Sequence, residues 1–125
     1  MFKYYNPNPI REIAGDCVVR ALCKAMGMSW DEAYRLICDE GFVQKDMPSS
    51  NGVWRAVLLR NGFTEHVVKN TCPDCYTVRD FCHGHPTGVY ILFLGGHVCS
   101  VVNGDYYDAW NSGDETVIFY FRREW

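Results

Sequence analysis

Three short stretches of the chain carry side chains that could do chemistry together. The first is "AGDCVVRALCKAMG", where Cys17 opens what reads as a helix. A thiol becomes a nucleophile when its pKa is depressed, and the unpaired N–H groups and dipole of a helix start depress it. The backbone N–H of the same residue can also serve as half of an oxyanion hole. The second stretch is "GGHVCSVV", where His97 follows two glycines that leave room for an approaching substrate chain. It supplies the base that a thiol nucleophile needs. The third is "GDYYDAW", with Asp108 as the group that would orient His97.

The hairpin between the last two stretches tests that assignment. With Asn103 and Gly104 as the two turn residues, Cys99 faces Asp108 and His97 faces Trp110. His97 and Asp108 are then diagonal neighbours on one face, about 7–8 Å apart at Cα and within side-chain reach. Asn111 falls on the opposite face, so Asp108 is the better orienter. Trp110 is placed to shield the pair or simply to pack across the strands. The plainer alternative makes His97 a core histidine satisfied by Asp108 and Cys17 a structural thiol.

The arrangement of "GDCVVRA", "GGHVCSVV" and "GDYYDAW" resembles the papain-like cysteine peptidases, in particular compact bacterial and phage types similar to bacteriocin-leader peptidases. The resemblance implies a papain-like fold and a thiol hydrolase acting on a peptide or amide bond of a peptide or protein substrate. It assigns Cys17 as nucleophile, His97 as base then acid, and Asp108 as the residue that fixes the histidine tautomer. Arg11 stands where that family places a glutamine of the oxyanion hole, which leaves the amide to Asn8 or Asn6. The "GDCVVRA" motif is also similar to that of ovarian-tumour-type deubiquitinases, although Ala14 and Val98 depart from their pattern. A third reading keeps the papain-like fold as a non-catalytic binding or inhibitory module.

A metal site competes for the segment "CPDCYTVRDFCHGH". Cys72, Cys75, Cys82 and His85 form a zinc ligand set by residue type. The interval between the two pairs is shorter than the dozen or so residues of finger-like sites. Thr77 and Asp80 account for the same segment as a capped short helix. The expectation is therefore no cofactor, with zinc as the alternative. Cys23, Cys38 and Cys99 read as small core hydrophobes.

Composition sets the frame for these elements. The chain has 125 residues, 48% of them hydrophobic, which suits a single domain with one substantial core. Twelve Lys and Arg against 15 Asp and Glu give a net charge of -3 without runs of like charge, so no nucleic-acid surface is expected. No stretch reaches the ~18 apolar residues of a membrane span, and the N-terminus lacks an apolar leader. Seven cysteines, an odd number, read as reduced thiols of a cytoplasmic protein. The oligomeric state is left open by these features.

The expected organisation is an α+β domain over residues 1–125: an arm at 1–15, a mainly helical part at 16–86, and an antiparallel sheet at 87–125. Asp16 is the expected N-cap of a helix over Cys17 to Met26, closed by Gly27. Ser29 and Glu32 form a capping box for a second helix ending at Gly41. Val53, Trp54, Val57 and Leu58 mark a third, stopped by Gly62, and Thr77 starts a fourth that ends before Pro86. From Gly88 the period becomes alternating or continuously apolar, in "GVYILFL", "HVCSVV", "DYYDAW" and "ETVIFYFR". The helices are thus expected to pack on a C-terminal antiparallel sheet.

Overall fold

A computed structural model describes residues 1–69, 71 and 73–124. The elements follow the order β1 (Phe2–Tyr4), α1 (Cys17–Met26), α2 (Trp30–Gln44), α3 (Asn51–Arg60), β2 (Phe63–Val67), α4 (Val78–Gly84), β3 (Val89–Phe93), β4 (Val98–Val102), β5 (Asp105–Asp108) and β6 (Phe119–Arg123). The fold is α+β, with the strands in one six-stranded sheet of order β1-β5-β4-β3-β6-β2. Among the described residues, no helix is long and apolar enough to cross a membrane.

The sheet has helices on both faces. Ile91, Val98 and Phe121 point into a core with Leu22 of α1, Ile37 of α2 and Trp54 of α3. Tyr90, Leu92, Cys99 and Val101 point the other way, onto Val78, Phe81 and Cys82 of α4. Because successive strand residues alternate sides, β3 and β4 are buried on both faces and read as near-continuous apolar runs.

Two strands depart from the expected layout. β1 lies in the segment read as an arm and pairs in parallel with β5, Phe2 opposite Tyr106, so the sheet is mixed rather than antiparallel. β2 lies inside the part read as helical and pairs antiparallel with β6 at the sheet edge. Only one of its residues, Phe63, is buried, so its sequence carries little apolar signal. Both are edge strands whose existence depends on a distant partner.

The local end signals of the helices fare unevenly. The Ser29–Glu32 and Thr77–Asp80 capping boxes both form. Asp16 does not cap α1 with its side chain. Helix α2 runs past Gly41 to Gln44 and closes at Lys45, whose φ is 58°. Gly41 is there for another reason: the chain doubles back, with the Asp46 N–H donating to the Gly41 carbonyl at 2.9 Å. A Cβ at position 41 would lie 2.7 Å from the Asp46 carbonyl oxygen. Alanine is intrinsically the better helix former by about 1 kcal/mol. The clash with backbone outweighs this, so Gly41→Ala is expected to destabilise the fold by about 1–3 kcal/mol in denaturant unfolding. A stabilised variant would show that the turn after α2 yields.

Candidate active site

The buried face of α1 sets the position of Cys17. Val18, Val19, Ala21, Leu22 and Ala25 are all buried, which presses the helix onto the sheet and leaves Cys17 half-buried at its start. The Asp16 carboxylate would ordinarily fold back onto the first-turn N–H groups. It turns away to accept hydrogen bonds from Trp30 Nε1 at 2.9 Å, Asn8 Nδ2 at 3.1 Å and Arg20 Nη1. No side chain caps the helix. Its positive end therefore stays directed at the thiol.

His97 is presented by a tight turn. Gly95 and Gly96 have φ of 77° and 86°, conformations that other residues adopt only with strain. The Leu94 N–H closes the turn on the His97 carbonyl at 2.8 Å. Asp108 arrives through the adjacent hairpin, where Asn103 and Gly104 both have positive φ, as a primed two-residue turn requires. The ladder pairs Ser100 with Tyr107 and Val102 with Asp105, which is the register expected from that turn.

His97 Nε2 lies 2.7 Å from Asp108 Oδ2. An ionised carboxylate has no proton to give, so Nε2 donates and Nδ1 is the nitrogen left for the thiol. Asp108 is held in turn. Ser112 Oγ donates to Oδ2 at 2.7 Å, the Ala109 N–H donates to Oδ1 at 2.8 Å, and Arg20 Nη2 approaches Oδ1 at 3.4 Å. Trp110 packs on the imidazole with ring centroids 4.7 Å apart, covering one side of the pair.

These contacts shift the protonation of all three groups. Burial pushes the Cys17 thiol up, but hydrogen bonds from His97 and the Val98 N–H, with the charges of His97 and Arg20, leave it below the ordinary value. Burial also opposes a charge on His97, yet its hydrogen bonds to Asp108 and Cys17 raise it to about 9. Asp108 is pulled below the usual carboxylate range, its desolvation offset by His97 and Ser112. Both shifts run in the direction of a thiolate facing an imidazolium. The other buried cysteines go the opposite way: burial pushes Cys23 and Cys82 up to about 11 and Cys99 well above the ordinary value.

Compared with protein-family models, curated proteins and solved structures, this chain finds no match.

Cys17 and His97 open onto a cleft of about 860 Å³, walled by Trp30, Tyr34, Trp54 and Phe93. Asn8 and Asn6 do not line it, and their amides are otherwise engaged. Asn8 Oδ1 accepts from the Ile10 and Arg11 N–H groups while its Nδ2 holds Asp16, and Asn6 Nδ2 donates to the Arg11 and Glu12 carbonyls. The asparagines shape the arm instead of supplying an oxyanion donor. Cys38, expected in the core, is exposed.

Among the described residues, Cys75, Cys82 and His85 of the zinc set are not grouped to hold a metal. Cys82 is buried in the core beneath α4, Cys75 is exposed, and Cys72 lies outside the described residues. His85 places Nδ1 2.8 Å from the Phe81 carbonyl and stacks on the Phe81 ring. Among the described residues, no three His, Cys, Asp or Glu side chains are grouped to hold a metal.

Arg20 and Ser112 both contact Asp108, a role that the short motifs around them do not signal. Arg20 did leave a trace, as a charged residue inside the apolar run "VVRALC". A buried charge there calls for a partner, although nothing local says which.

Proposed function

We propose that this protein is a thiol hydrolase of papain-like type, cleaving a peptide or amide bond of a peptide or protein substrate. The observation that carries this reading is His97 joined to Asp108 at 2.7 Å on one side and to the Cys17 thiol on the other. In the proposed cycle, the Cys17 thiolate attacks the carbonyl carbon and forms an S–C bond. The developing oxyanion is met by the Cys17 backbone N–H at the uncapped helix start. As the C–N bond breaks, the His97 imidazolium gives its Nδ1 proton to the leaving amine. Neutral His97 then takes a proton from water, whose oxygen attacks the thioester. The acid is released, and thiolate and imidazolium are restored. Asp108 keeps the imidazole oriented throughout.

Iodoacetamide labelling with mass mapping tests the reading. At pH 6, selective alkylation of Cys17 is expected, with Cys23, Cys82 and Cys99 inert because burial keeps them protonated. The rate for Cys17 should rise in two steps: one below the ordinary thiol value, and one near pH 9 as the imidazolium partner loses its proton. A single step at the ordinary thiol value, or slow uniform labelling, would favour a module that does not turn over.

A further inference from the structure

Arg20 is buried, with 8% of its surface exposed, one turn along α1 from Cys17. Its guanidinium stands between two carboxylates. Nη1 donates to Asp16 Oδ1, Nη2 lies 3.4 Å from Asp108 Oδ1, and Nε is buried without a hydrogen-bond partner. An apolar residue at this position of α1 would pack against the core without desolvating a charge. It would also leave Asp16 and Asp108 as like charges with no cation between them. Asp16 accepts two further hydrogen bonds, from Trp30 and Asn8, so its ionised form is held by three elements of the structure.

We propose that Arg20 is a positioning residue that sets the charge balance of the thiol–imidazole pair by bridging the Asp16 and Asp108 carboxylates. The role rests on the hydrolase reading of Cys17, His97 and Asp108. Arg20 acts through them. Among the described residues, the charged and titratable groups around the pair are Asp16 just before α1, Arg20 of α1, Asp108 of β5, the protonated Cys99 thiol of β4, and Glu12 of the arm and Tyr34 of α2 at the cleft wall. Arg20 is the one fixed cation among them. Its charge favours the Cys17 thiolate and opposes the His97 cation, so its removal raises both pKa values together.

A network that serves only as a staple would loosen the fold without moving both titrations in one direction. Titration of the His97 ring protons by NMR and the pH dependence of Cys17 alkylation separate the two cases. In Arg20→Gln, both the first alkylation step and the His97 titration are expected to move up by about one pH unit. In Arg20→Lys, which keeps the charge and loses the fork, both should stay within about 0.3 unit of wild type. In Asp16→Asn, which removes a negative charge, both should move down. The NMR titration reads the environment of His97 whether or not Cys17 is reactive. Loss of the early alkylation step in the wild type would therefore count against the hydrolase reading, while the His97 shifts would still decide the role of Arg20. If Arg20→Gln does not fold, Asp16→Asn and Arg20→Lys carry the test. A His97 titration unmoved in Arg20→Gln, or in Asp16→Asn, overturns the proposal.

Discussion

A Cys17→Ser variant is expected to lose about 10⁴-fold or more in turnover of any peptide or amide substrate that the wild type cleaves. A hydroxyl is too weak an acid to give its proton to His97 at neutral pH, so the ion pair that activates the thiolate does not form. The first-turn N–H groups of α1 and the neighbouring His97 stay where they are, and oxygen is smaller than sulfur. The site is therefore present without its nucleophile. Because Cys17 is only half-buried, the melting temperature should change little, which separates loss of chemistry from loss of fold. Turnover within tenfold of wild type would remove Cys17 from the mechanism.

The second large effect is expected at Asp108. All four of its described contacts are donors pointing at carboxylate oxygens: His97 Nε2 and Ser112 Oγ on Oδ2, the Ala109 N–H and Arg20 Nη2 on Oδ1. An asparagine has one acceptor oxygen and one NH₂ group, so one of these pairs of donors must face a donor. If the NH₂ faces His97, Nε2 becomes the acceptor and the proton moves to Nδ1, the wrong tautomer for accepting one from the thiol. If it faces Arg20, a buried cation loses one of its two carboxylates. Asp108→Asn is expected to lower turnover by about 10⁴-fold and stability by about 1–3 kcal/mol. The His97 titration should fall from about 9 as well, because Asp108 is its principal support. Steady-state kinetics, urea unfolding and NMR titration check the three. Full activity in Asp108→Asn would make the His97–Asp108 pair a structural feature alone.

The two halves of the site differ in how far they could be read from the chain. His97 and Asp108 sit 11 positions apart across one hairpin. Asn103 and Gly104 tolerate the positive φ of a primed turn, and a two-residue turn permits only one register. The diagonal neighbourhood of the two side chains follows from that. Asp16 shows the opposite case. By position and residue type it is an N-cap, yet Trp30, Asn8 and Arg20 offer its carboxylate stronger and more buried partners, and the local preference loses. Gly41, for lack of a side chain, has the residue type of a helix stop. The same lack is used instead for the close approach of Asp46.

Interactions within a few residues settle the features legible in the chain: the capping boxes at Ser29 and Thr77, the turn at Asn103-Gly104, and the period that separates helices from central strands. The pairings that close long loops are visible in the folded chain alone. These include β1 beside β5, β2 beside β6, α4 on the face of the sheet opposite α1, Cys17 against His97, and Arg20 reaching Asp108 over 88 positions. Local bonds reward a residue whatever the rest of the chain does. A buried charge or an edge strand is favourable only once its distant partner has arrived, and the core of α1 against β4 is what brings the thiol, the imidazole and the guanidinium to one place.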